Sequence, residues 1–211
     1  MTAKEPIRAD QVTVVPANQA SWHDLTLVFG TADYAARCRC QRFKIDGWFW
    51  RDTTFDERVE LQQEQTHCDE PDAERTSGLV AYVDGDPAGW VAVEPRTAYP
   101  KLITGSSPVP WKGRDEDRDD ASVWAVTCTI VRRGYRGRGL TYHLAAATVG
   151  YARDRGARAL EAYSMITEAG KEITWGELHV GARQVFEEAG LTQVSHPSKR
   201  RAVMRIDFAP G

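Results

Sequence analysis

The stretch richest in chemistry-bearing residues is Val131-Arg132-Arg133-Gly134-Tyr135-Arg136-Gly137-Arg138-Gly139-Leu140-Thr141. It sets three glycines and four arginines between two apolar segments. Glycine permits the backbone angles that turn successive N–H groups into one concavity. A helix start adds unsatisfied N–H groups and a partial positive charge. The arginines add full charges. Together these features predict a site for a pyrophosphate or similar polyanion; the alternative is a glycine-rich turn with solvated arginines. A Walker loop would need Gly-Lys-Ser/Thr after the glycines, and there is none. A dinucleotide fingerprint would need a third glycine where Tyr142 stands. Glu161, ~20 residues on, falls where a ribose-binding acid could sit, which leaves a dinucleotide-dependent oxidoreductase as a remote alternative.

Other residues invite chemistry less directly. Cys38 and Cys40 with His67 and Cys68 supply four zinc-type ligands, but without Cys-x-x-Cys spacing, so ordinary thiols are the preferred reading and no metal is expected. Cys128 sits inside an apolar run that favours the thiol over the thiolate. Trp48, Phe49 and Trp50 could wall an apolar or cationic ligand or brace the core. The acidic stretch Asp115–Asp120 could steer a polycation or form a solvated loop.

The elements that position these residues follow from periodicity and punctuation. Val12–Val15 reads as a strand ending at Pro16. Ser21 is a plausible N-cap for a helix through Trp22, Leu25, Val28 and Phe29. Tyr34–Arg51 reads as helix end and loop, and Phe55–Thr66 as a second helix. Leu79–Val83 and Gly89–Val93 form a hairpin about Asp84-Gly85. Pro95–Asp120, with four prolines, reads as a long surface connection. Ser122–Val131 is a strand. Leu140, Leu144, Ala147 and Tyr151 lie at helical spacing, and Gly156 suits a C′ position. Ala157–Met165 is a strand, Val180–Ala189 a helix, and Leu191–Ser195 and Ala202–Phe208 are strands. The expected fold is a single mixed α/β domain over 1–211, with a mostly antiparallel sheet, one central parallel pair from the strand-helix-strand unit 122–165, and long insertions at about 34–66 and 95–120.

Composition bounds the function. The chain has 211 residues, 42% hydrophobic and 27% charged, with net charge -3 and four cysteines. That length and apolar content support a core without staples. The near-neutral charge argues against a nucleic-acid partner, and the few cysteines against a disulfide scaffold. Met1–Asp10 has no apolar stretch of the secretory kind, and no run of ~18 apolar residues suggests a membrane partner. A soluble, cytoplasmic protein is expected.

Arg136-x-x-Gly139 ahead of an amphipathic helix resembles the acetyl-CoA motif of the GNAT acyltransferase superfamily, with Thr141 in place of its last small residue. Ala182-Arg183-Gln184-Val185-Phe186-Glu187-Glu188-Ala189-Gly190-Leu191 resembles a second family feature, and the element order fits across nearly the whole chain. The resemblance implies a central pair of splayed parallel strands, helices on both faces, and acetyl-CoA as cosubstrate without a metal. It implies backbone contacts to pantetheine near Thr129 and Val131. Pyrophosphate would be held by N–H groups of Gly137, Arg138, Gly139, Leu140 and Thr141, with charge from Arg136 and Arg138. His179 stands where the family often places a cofactor-contacting asparagine.

The usual catalytic assignments fail, because residues 122–131 hold no carboxylate and Phe186 stands at the place of a tyrosine acid. Glu161, Tyr163 and Glu94 remain as catalytic candidates; Glu161 and Tyr163 share a sheet face. The implied reaction moves an acetyl group from acetyl-CoA to a primary amine of a small molecule. A protein N-terminus or lysine is the next acceptor, and an acyl-CoA-binding module without turnover the rival. Family members are often dimers, which leaves a homodimer open.

Overall fold

The computed structural model of the chain describes residues 4–30, 33–45, 49–104, 109–168 and 173–209. Strand β1 (Val12–Pro16) stops at its proline and leads to helix α1 (Trp22–Phe29). Ser21 caps α1 by accepting the Asp24 N–H at 3.0 Å. A short helix α2 (Asp33–Cys38) follows. Helix α3 (Phe55–Thr66) starts in a capping box, where Thr54 accepts the Glu57 N–H and Glu57 accepts the Thr54 N–H. The hairpin of β2 (Gly78–Val83) and β3 (Asp86–Pro95) turns at Asp84 and Gly85, both at positive φ, as a type I′ turn requires.

Helix α4 (Pro100–Ile103) interrupts the long connection to β4 (Val123–Val131). Helix α5 (Leu140–Asp154) ends before Gly156, which has φ 74°. Strand β5 (Ala159–Met165), helices α6 (Trp175–Leu178) and α7 (Arg183–Glu188), and strands β6 (Thr192–Ser198) and β7 (Arg201–Asp207) complete the order. The helix expected from Val180 begins only at Arg183, because residues 179–182 are drawn into the sheet.

One seven-stranded sheet runs β1-β2-β3-β4-β5-β7-β6, antiparallel except for β4 and β5. Helices α5 and α7 cover one face through Leu140, Leu144, Val185 and Phe186. Helix α1 covers part of the other through Leu25, Val28 and Phe29 against Trp90, Cys128 and Ile130. Further along that second face, Tyr99 and Leu102 pack on Ala125, Tyr163 and Val203.

The feature that positions the site is the end of the parallel pairing. Strands β4 and β5 pair from Val123 with Ala159 to Val126 with Ala162, and no further. Thr127 is an extra residue in β4, since Ala92 faces Cys128 while Val93 faces Val126. Such a bulge bends and twists its strand. In the gap the Thr129 N–H donates to the His179 carbonyl at 2.6 Å, and the Met165 N–H to the Gly181 carbonyl at 2.9 Å. Gly181 can enter because it lacks a side chain. Its φ is 80°, and a Cβ there would lie 2.6 Å from the Phe186 ring.

Candidate active site

A cavity of about 540 Å³ runs from the glycine loop to this gap. Its lining includes Thr129 and Val131 of β4, Arg136, Gly137 and Gly139 of the loop, Leu140 and Thr141 of α5, and His179. Gly137 (φ 73°) and Gly139 (φ 85°) hold the left-handed turns that curl the loop. Gly139 precedes α5 without a side-chain cap: its carbonyl accepts the Tyr142 N–H at 3.0 Å, and no side-chain oxygen of its own meets the first N–H groups of that 15-residue helix. This is the geometry of an anion cradle at a helix start.

Arg136 belongs to the cavity wall, and its Nε donates to the Val131 carbonyl at 2.8 Å. Arg138 does not line the cavity. Its Nε donates to the Glu5 carbonyl at 2.9 Å, and its side chain borders a separate outer hollow with Asp86, Arg132 and Tyr135. Residues before β1 therefore brace the loop: the Ile7 N–H also donates to the Arg138 carbonyl. Nothing in the spacing of the loop announces that contact. Thr129 and Val131, whose backbone is expected to meet pantetheine, both line the cavity, and the Thr129 N–H and Val131 carbonyl each also have a partner within the chain.

The three catalytic candidates do not line this cavity. Glu161 is wholly buried. Its carboxylate meets Arg205 Nη1 at 2.6 Å, Arg114 Nη1 at 3.2 Å and Arg96 Nη1 at 3.4 Å, and it accepts the Tyr163 hydroxyl at 3.0 Å. Burial pushes this carboxyl up, but the bonds and charges of Arg114, Arg96 and Arg205 outweigh it and hold the group below the usual carboxylate range. Glu161 is thus a caged anion, unsuited to proton abstraction or to reaching a ribose. Tyr163 is committed to it, and burial and the nearby Glu161 charge hold that phenol well above its ordinary pKa. Glu94 forms an ion pair with Lys44 at 2.5 Å beside the buried Tyr99. Burial lifts the Glu94 carboxyl above its usual range against the pull of Lys44.

The acidic stretch is partly consumed by the same cage. Glu116 pairs with Arg114, Arg205 and Arg96, and Asp120 with Arg158 at 2.6 Å. Sequence reasoning missed this cluster, because Arg96, Arg114 and Arg205 are far apart in the chain. Cys38, Cys40, Cys68 and Cys128 are all free and buried, and burial raises the Cys38 and Cys68 thiols to about 11. His67 Nδ1 lies 3.0 Å from Glu70. No group of three or more potential metal ligands converges among the described residues. Trp48 lies outside the described residues; Trp50 carries Arg58 over its ring at 4.2 Å.

His179 is the informative residue at the inner part of the cavity. Its Nδ1 lies 2.7 Å from the Gly176 carbonyl, which can only accept, so Nδ1 carries the proton. Nε2 is buried with no partner among the described residues. Burial, with Arg42 and Arg201 nearby, lowers the pKa of the ring to about 4 against the opposing pull of Gly176. Imidazole is therefore the neutral form at ordinary pH.

Comparison with known proteins follows this geometry. The model of the acetyltransferase (GNAT) family matches residues 42–169. No curated protein matches in sequence. Among solved structures, a GCN5-related N-acetyltransferase from Kribbella flavida is similar, with 15% identity, TM-score 0.52, and 95% of this chain and all of that chain covered. An N-acetyltransferase from Staphylococcus aureus Mu50 is similar at 12% identity and TM-score 0.50, over 93% and 98% of the two chains. Their identities make them likenesses of fold. With the family model spanning more than half of the sequence, and the loop, helix start and parted strands in place, the chain belongs to the GNAT acetyltransferase family, whose acyl donor is acetyl-CoA.

Proposed function

We propose that the protein transfers the acetyl group of acetyl-CoA to a primary amine of a small molecule. The observation that carries this reading is the single cavity linking the glycine loop at the start of α5 to the gap between β4 and β5. Pyrophosphate at one end and the thioester at the other would match its glycine loop and its inner part beside Thr129, His179 and Gly181. Arg136 supplies charge at the loop end, and backbone N–H groups from Gly137 to Thr141 supply donors. Holding thioester and amine together removes much of the barrier, since fixed reactants reach effective concentrations of order 10⁵ M or more. The acceptor is assigned to small molecules because Glu116 and Asp120 are paired with arginines, which weakens any field for a basic polypeptide.

The test is release of free CoA thiol from acetyl-CoA in the presence of a panel of small amines and of lysine-bearing peptides. Thiol release with a small amine is expected. Tight acetyl-CoA binding without release from any acceptor would establish the second reading, an acyl-CoA-binding module. That reading is favoured by Phe186, whose ring cannot donate a proton where a phenol would serve, and by the caging of Glu161.

A further inference from the structure

We infer that His179 is the base that takes the proton of the attacking amine and then returns it to the departing thiolate. This rests on the acetyl-transfer reading above. The argument begins with placement. His179 lines the cofactor cavity and also a second, much smaller one, bounded by Tyr34, Cys38, Cys40, Arg42, Cys128 and Ile130 on the other face of the sheet. It is the residue shared by the two, so it stands between the cofactor cavity and the β4 side of the sheet, where the second hollow, about 10 Å³, has room for one small group such as an amine nitrogen.

The ring is fixed for that work. Its carbonyl is held by the Thr129 N–H at 2.6 Å, its Nδ1 by the Gly176 carbonyl, and its face lies 6.3 Å from the Phe43 ring. The tautomer so imposed leaves the Nε2 lone pair free to accept. That atom is buried and has no partner among the described residues. A buried acceptor left unbonded is unfavourable, and an amine N–H would satisfy it.

Elimination points the same way. Among the described residues that line the two cavities there is no Asp or Glu. The polar groups that face the ring are Arg42 and Arg201, both cationic, the thiols of Cys38, Cys40 and Cys128, and the Tyr34 phenol, which accepts from Arg42 at 3.2 Å. Burial and the neighbouring Cys40 hold the Cys128 thiol well above its ordinary value, so it stays protonated. Imidazole is the only neutral base in this set.

The step balances. A neutral amine attacks the thioester carbonyl carbon and a C–N bond forms. The adduct nitrogen gives its proton to Nε2. The C–S bond then breaks, its electron pair stays on sulfur, and the imidazolium passes the proton to the thiolate. The products are the amide and free CoA thiol. Arg42 and Arg201 disfavour the imidazolium, which makes it a ready donor to sulfur. That supplies the acid that Phe186 cannot.

The test compares wild-type protein with His179→Asn, His179→Gln and His179→Ala at saturating acetyl-CoA and amine. A fall in kcat of about 100-fold is expected for each. Calorimetry should show that each variant still binds acetyl-CoA, with any change in affinity far smaller than the fall in kcat, since the loop groups proposed for the pyrophosphate are untouched. Added imidazole should restore part of the rate of His179→Ala, which a purely structural role would not allow. A wild-type enzyme that turns over together with a His179→Asn variant of similar kcat would overturn the role of His179 alone. A wild-type protein that releases no thiol with any amine would overturn the acetyl-transfer reading and this inference with it.

Discussion

The two arginines flanking Gly137 look equivalent in sequence, yet the fold separates them. Arg136 sits in the cavity wall with its Nε on Val131, whereas Arg138 is turned to Glu5. Replacing Arg136 with Ala should therefore weaken acetyl-CoA binding about tenfold at low salt and less at high salt, because the contribution is electrostatic and screened. Replacing Arg138 with Ala should change affinity less than threefold. Titration at two ionic strengths checks both, and equal losses would place both side chains on the phosphates. The glycines were legible because positive φ and anion binding demand a residue type. The state of His179 was not. It depends on the carbonyl of Gly176, the burial of one ring nitrogen and the approach of Arg42 and Arg201, none of which leaves a spacing in the sequence.

At the scale of elements, the buried ion cluster joins the end of β3, the connection to β4, and the neighbouring strands β5 and β7. Arg96 follows β3 and is wholly buried against Trp111, Arg114 lies in the connection, Glu161 is in β5 and Arg205 in β7. Removing the Glu161 charge leaves Arg96 and Arg114 with Glu116 as their carboxylate, and Arg205 with Glu116 and Asp207, where all three guanidiniums are mostly buried. Glu161→Gln should cost about 3 kcal/mol, the range for breaking a buried pair, measured by urea unfolding. If Glu161 were the catalytic base instead, kcat would collapse with stability unchanged. The elements that sequence reasoning recovered are those with a clear period, cap or turn pair, such as α1 behind Ser21, α5 with Leu140, Leu144, Ala147 and Tyr151 at helical spacing, and the hairpin at Asp84-Gly85. The ones it missed, α4 and α6, are each four residues long, and α2, expected only as a helix end, is six. A helix of one turn shows no period, and its existence is set by packing. The expected helix from Val180 failed for a different reason: a tertiary contact with β4 and β5 outbid local pattern.

For the whole molecule, pH sums these local states. His179 is buried neutral, with its pKa lowered from 6.5 to about 4. Below its unfolded value the unfolded chain takes up a proton that the fold refuses, so its contribution is lost as pH falls through that window. A shift of this size amounts to about 3 kcal/mol. Glu161, held below 4.5, extends the loss to lower pH. Glu94, held above 4.5, runs the other way and offsets part of it. Urea unfolding from pH ~7 to ~4 should show falling stability, and His179→Asn should flatten the upper part of that fall. A wild-type curve level across this range would contradict a buried neutral imidazole. The gap between β4 and β5 has a kinetic consequence as well. Residues 179–182 already satisfy the Thr129 and Met165 N–H groups that the parted strands would otherwise leave open. Among the described residues these strand ends are therefore a finished surface that does not wait on a guest to be ordered. Stopped-flow mixing with acetyl-CoA is therefore expected to show association in one phase, at a rate set by encounter and orientation; a slow second phase independent of ligand concentration would mean that the strands rearrange.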